Sequence, residues 1–135
     1  MITFKGVVTT VAIVAACCVP QAADASWRSN TFQSPSGNLI CKFRPSFGRI
    51  SCGAFSSQKI ITMGTYSRPL QGQRISWDHD AFPVLGYGWT WSAGQPISCR
   101  SLTTGMRCQN AAGWFFVIDR SAIFVGRYGQ RLYSL

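Results

Sequence analysis

The residues best equipped for chemistry in this chain are Asp78-His79-Asp80, where the single histidine stands between two of the four acidic side chains. Such a trio could relay a proton or hold a metal ion, with Asp119 as the remaining carboxylate once a leader segment is removed. Alternation along a strand would turn Asp78 and Asp80 to one face and His79 to the other, which works against a compact site. The plainer reading is a polar turn between Trp77 and Phe82-Pro83. No Gly-x-Ser-x-Gly elbow presents a serine nucleophile, and Ser36 lies in Ser34-Pro35-Ser36-Gly37-Asn38, which is turn chemistry. A glycosidase would have to find two opposed carboxylates among very few aspartates, and the glycines are scattered at turn spacing rather than gathered into a phosphate-cradling loop. The expectation is therefore a protein that is not an enzyme and uses no cofactor. A hydrolase centred on His79, with Asp78 and Asp119 converging on it, is the alternative.

Cysteine is the other reactive type. Cys41 and Cys52 belong to "GNLICKFRPSFGRISC", and Cys99 and Cys108 to a second, altered copy, "GQPISCRSLTTGMRC". Structural zinc takes close cysteine pairs, and these spacings do not offer them, so no metal site is expected. Each cysteine instead follows an aliphatic residue two positions earlier: Leu39, Ile50, Ile97 and Met106. That is the period of a strand with one buried face. Arg44-Pro45-Ser46-Phe47-Gly48-Arg49 supplies a turn, with proline and glycine where a tight reversal uses them, and Thr103-Thr104-Gly105 closes the second copy. Each copy therefore reads as a β-hairpin stapled across its own strands, Cys41 to Cys52 and Cys99 to Cys108. Phe43 then falls opposite Ile50 on the inward face.

Disulfides require an oxidising compartment, and the N-terminus agrees. Lys5 precedes an apolar run from Gly6 to Val19, Pro20 breaks it, and Ala23-Asp24-Ala25 offers small residues for cleavage. Residues 1–25 read as a secretory signal peptide and residues 26–135 as a single β-rich domain, secreted or periplasmic. The apolar run is too short for a spanning helix, so no transmembrane span is expected in the mature chain. Val14-Ala15-Ala16-Cys17 also resembles a lipoprotein box, in which Cys17 would be lipidated and anchor the protein.

Other short β-branched or aromatic runs are Ser29 to Gln33, Lys59 to Met63, Gln73 to Trp77, Tyr87 to Trp91, Trp114 to Ile118 and Ile123 to Arg127. Asp119-Arg120-Ser121-Ala122 has the form of a capped helical turn. The fold expected is all-β, a small barrel or sandwich built around two disulfide-stapled hairpins. On the strand Tyr87 to Trp91, the alternating Tyr87, Trp89 and Trp91 would share a face, either as core or as an aromatic platform for sugars or bases.

Phe32-x-Ser34-Pro35-Ser36-Gly37-Asn38-Leu39-x-Cys41, Cys52, Leu85-Gly86-Tyr87-Gly88, Cys99 and Cys108, Asn110-x-x-Gly113 and Phe116-x-x-x-Arg120 resemble the small secreted bacterial proteins grouped as domain of unknown function 6636. The resemblance spans nearly the whole mature chain and implies a secreted β-rich domain with hairpin disulfides and no particular activity. Gly113-Trp114-Phe115-Phe116 departs from the Gly-His-Gly-Phe run of that family, as does the scarcity of cysteine in the middle region.

Charge narrows the partners. The formal net charge is +9, and all the acids are aspartates. Counting outward from the staples places Arg44 opposite Arg49 and Arg100 opposite Arg107, facing away from the cysteines, with Lys42 beside the first pair. Like charges directly opposite repel unless an anion lies between them. Paired guanidinium forks suit phosphate, carboxylate or sulfate. The functional expectation is a non-catalytic binding protein whose basic surface contacts an anionic envelope component: a lipid, a glycan or an acidic protein, with nucleic acid also fitting the charge. An inhibitor-like or structural module that binds another secreted protein is the alternative, and an exposed aromatic patch would mark it.

Overall fold

The structure, a computed structural model, describes residues 29–72, 82–92, 94, 96–128 and 133–135. Among these residues every regular element is a strand: β1 Thr31–Gln33, β2 Leu39–Arg44, β3 Arg49–Ala54, β4 Lys59–Gly64, β5 Leu70–Gly72, β6 Thr90–Ser92, β7 Ser98–Leu102, β8 Gly105–Gln109, β9 Trp114–Ile118, β10 Ile123–Arg127 and β11 Tyr133–Ser134. The first five form one antiparallel meander and the last six a second, in the order β11-β10-β9-β8-β7-β6. The two sheets pack as a sandwich and do not close into a barrel, which decides between the two architectures the sequence left open. The expected signal segment, the Cys17 lipid box and the Gln73 to Trp77 strand lie outside the described residues.

Alternation explains the packing. In β2 and β3, Cys41 pairs with Cys52 and Phe43 with Ile50, all buried, while Arg44 and Arg49 pair on the exposed side. In β7 and β8, Cys99 pairs with Cys108 inside and Arg100 with Arg107 outside. The disulfides are the expected ones, with Cα separations of 4.1 Å for Cys41–Cys52 and 4.0 Å for Cys99–Cys108, the narrow spacing of pairs that share no backbone hydrogen bonds. By loop-closure entropy each staple stabilises the fold by about 2.5 to 3 kcal/mol. They also meet each other: Cys52 Sγ lies 3.9 Å from Cys108 Sγ. The repeated sequence thus places one staple on each sheet, and the two touch at the centre of the sandwich.

Around them packs a single apolar cluster from both sheets, including Phe32, Ile61, Met63, Trp91, Phe116 and Ile118. Trp91 stands 5.1 Å from Phe32 and 5.3 Å from Phe43, ring centre to ring centre, and its Nε1 donates to the Ser29 carbonyl at 2.8 Å. A polar atom that would be costly to bury alone is thereby satisfied. The sheets are also laced along one edge. Gln33 N donates to the Pro83 carbonyl and Leu85 N to the Gln33 carbonyl, both at 2.8 Å, so the chain crossing to the second sheet runs beside β1.

Two expectations change. The strand expected over Tyr87 to Trp91 begins only at Thr90, because Gly86, Tyr87 and Gly88 make a turn in which Gly88 has φ 82° and Trp89 N donates to the Gly86 carbonyl at 3.0 Å. Asp119 to Ala122 is not a helical turn but the tight link between β9 and β10, closed by Asp119 N donating to the Ala122 carbonyl at 3.0 Å. Asp119 still caps it, since Oδ1 accepts from Ser121 N and Ala122 N, both at 2.7 Å.

Candidate functional site

Inward cysteines force the arginines outward, and because the two sheets face each other through those cysteines, the two arginine pairs lie on opposite outer surfaces of the sandwich. They are two sites rather than one.

On the outer face of the second sheet, Arg100 and Arg107 stand side by side across β7 and β8, and Thr90 on β6 pairs with Arg100. With Ser98, Leu102 and Gln109 these residues line a depression of about 390 Å³. The Arg107 guanidinium lies over the Phe115 ring, 4.4 Å from its centre, a contact that orients the fork while its edge N–H groups stay available. Hydroxyl and amide groups beside two guanidiniums can receive an oxyanion and complete its hydrogen bonds.

On the first sheet Arg44 and Arg49 flank the Pro45 to Gly48 turn, both exposed, while Lys42 is half-buried opposite Ser51. Gly48 takes φ 58°, and its carbonyl accepts from Thr65 Oγ1 at 3.1 Å, which ties this turn to the loop after β4. That loop is tied in turn to the second sheet by Asn110. Its Nδ2 donates to the Gly64 carbonyl at 3.0 Å and the Ser67 carbonyl at 2.9 Å, and its Oδ1 accepts from Ala112 N at 3.1 Å and Trp114 N at 3.0 Å. Tyr128 N donates to the Gly113 carbonyl at 2.9 Å. The turn tips so gathered carry Phe47, Tyr66 and Tyr128, exposed by 67%, 71% and 87%. Between them Trp114 closes the core, with the Arg68 and Arg127 guanidiniums 5.7 and 5.2 Å from the centre of its ring. Sequence reasoning singled out Arg44 and Arg49 but missed that they share an end with exposed aromatics and with Arg68 and Arg127. The only linear signal of that end is that aromatic residues sit within turns, at Phe47, Tyr66 and Tyr128, where turn chemistry does not call for them.

The opposite end is different in kind. Ser34, Ser36, Asn38, Ser56, Thr103 and Asp119 border a polar depression of about 370 Å³. Most of those groups act as fasteners. Asn38 Nδ2 donates to Ser56 Oγ at 3.2 Å, Asn38 Oδ1 accepts from Ser56 N at 3.0 Å, and Ser56 Oγ donates to the Arg120 carbonyl at 2.7 Å. Partial burial pushes the Asp119 carboxyl up, yet the amides of Ser121 and Ala122, the Ser121 hydroxyl and the nearby Arg120 charge together hold it below the ordinary value.

The aromatic trio does not form a platform. Trp91 is fully buried in the core, while Tyr87 and Trp89 are exposed by 48% and 37%, because the turn at Gly86 to Gly88 breaks the alternation that would have aligned them. Asp78, His79 and Asp80 lie outside the described residues, and Asp119 sits in a turn at the hydroxyl-lined end. The sulfurs of Cys41, Cys52 and Cys108 lie within 4.8 Å of one another, near enough for a metal by distance alone. All of them are consumed in disulfides, which leaves no thiolate to act as ligand.

Compared with known proteins, the chain matches no family model, no curated protein and no solved structure.

Proposed function

We propose that this is a secreted or periplasmic, non-catalytic binding protein whose basic surface contacts an anionic component of the cell envelope. One observation carries the reading: Arg100 and Arg107 sit side by side in a depression on the outer face of the second sheet, and Asp119, the one side-chain carboxylate among the described residues, is held in a turn with its own donors. Arg100 and Arg107, opposite one another in the β7–β8 register, have no acid on their face among the described residues, and an incoming phosphate, sulfate or carboxylate would be met by both charges. The disulfide core fits an extracytoplasmic setting. The alternative of a module that binds another secreted protein draws on the exposed aromatics Phe47, Tyr66 and Tyr128.

The test is retention of the purified, oxidised protein at physiological salt on a panel of immobilised anions: phospholipid, sulfated glycan, nucleic acid and an acidic protein. Capture by at least one anionic surface and by none of the neutral counterparts is the expected result. Failure on every anionic surface, with capture by a neutral envelope protein, would move the assignment to the protein-binding module.

A further inference from the structure

The gathered turn tips combine two properties that no fold requirement explains. Phe47, Tyr66 and Tyr128 place large apolar or amphipathic rings in water, and Phe47 has no hydrogen-bonding group to justify its exposure. Arg44 and Arg49 flank Phe47, and Arg68 and Arg127 lie at Trp114 between the other tips. The β9–β10 turn that holds Asp119 is at the opposite end of β9 from Trp114, so this end carries no side-chain carboxylate among the described residues.

We propose that this end is a docking surface for an anionic lipid bilayer, with the three rings entering the interfacial layer and the arginines meeting lipid phosphates. The proposal rests on the reading that the protein's partner is anionic, and it adds a surface separate from the Arg100 and Arg107 depression. Charge complementarity and ring placement select the partner. Tyrosine is favoured at the depth of lipid headgroups, and phenylalanine goes deeper, where acyl chains begin. Basic residues beside such anchors are drawn to the negative surface and are screened within a Debye length of it. A single-stranded nucleic acid would need ring faces laid along one groove, whereas these rings stand on separate turns. A sulfated glycan would use the arginines but leave Phe47 idle.

The test uses the full oxidised protein and vesicles of phosphatidylglycerol mixed with phosphatidylcholine, with pure phosphatidylcholine as reference and heparin as a lipid-free anion. Sedimentation with the mixed vesicles, at least about tenfold stronger than with phosphatidylcholine, is the expected result. The combined variant F47S/Y66S/Y128S changes side chains that are already exposed, and its unchanged thermal transition would confirm its fold. It should lose about tenfold or more in vesicle binding while its elution from heparin stays the same. Arg44→Gln with Arg49→Gln should weaken vesicle binding by a similar factor and shift the salt dependence. Vesicle binding equal to wild type in the ring variant would overturn the docking surface and leave the anionic reading intact. Retention on heparin without binding to any vesicle would do the same. No binding to either anion would overturn both.

Discussion

Asn110 holds the two sheets together at the arginine and aromatic end, and Asn110→Ala measures how much of that end depends on it. The residue is buried, and the substitution removes two donors from the Gly64 and Ser67 carbonyls and an acceptor from the Ala112 and Trp114 amides. At about 1 kcal/mol net for each bond, with part of the loss recovered by water entering the space, the variant should be about 3 kcal/mol less stable. With a urea slope of about 1.2 kcal/mol per molar, the midpoint should fall by about 2.5 M in non-reducing equilibrium unfolding. N110D keeps the shape and the acceptor but sets a carboxylate against two carbonyls. Its deficit should therefore shrink as the pH is lowered and the carboxyl gains a proton it can donate. A loss below about 0.5 kcal/mol in the alanine variant would refute the idea that this amide fastens the sheets.

Other expected outcomes follow from single distances. Gly105 takes φ 150°, and a Cβ there would come 2.5 Å from the Ile118 carbonyl oxygen, so Gly105→Ala should cost about 2 kcal/mol or more by thermal unfolding; an unchanged transition would contradict the close approach of β8 and β9. In Cys41→Ala the freed Cys52 would lie beside Cys108, 3.9 Å away in the intact protein. Non-reducing peptide mapping of that variant at alkaline pH should recover a Cys52–Cys108 link with Cys99 released, and recovery of Cys99–Cys108 alone would show that the staples do not exchange. Asp119 has its carboxyl held below the ordinary value in the folded state, so the stability it supplies is present above the unfolded value and is lost as pH falls through the folded one. The stability difference between wild type and Asp119→Asn should therefore narrow on acidification below about pH 4, and a constant difference would remove the charge from the explanation.

The parts of the fold legible in the linear chain are those set by period and by short loops. The Cys41–Cys52 and Phe43–Ile50 pairings follow from a turn of known form, as does Arg100 opposite Arg107, and β9 and β10 occupy the runs Trp114–Ile118 and Ile123–Arg127. β5 and β11 are so short that neither period nor composition marks them, since hydrogen bonds from a neighbouring strand define them. Tyr87 and Trp91 show where alternation misleads: one glycine turn between them sends the first to solvent and the second to the core. The sequence repeat showed two staples but not their contact, because the packing of one sheet on another depends on the whole inner surface. The assembly of the arginine and aromatic end was equally hidden, as the contacts of Asn110 with Gly64 and of Arg68 with Trp114 join residues more than forty positions apart.

The anion-binding reading is tested most directly by separating position from charge. Arg100→Gln with Arg107→Gln and Lys59→Gln with Arg120→Gln lower the net charge equally, but only the first pair empties the depression on the second sheet. Elution from a sulfated glycan column across a salt gradient, with both variants and wild type in the oxidised form, compares them. The expected result is that the Arg100 and Arg107 variant elutes at clearly lower salt than the Lys59 and Arg120 variant. Equal elution of the two would contradict the assignment and reduce the attraction to net charge alone.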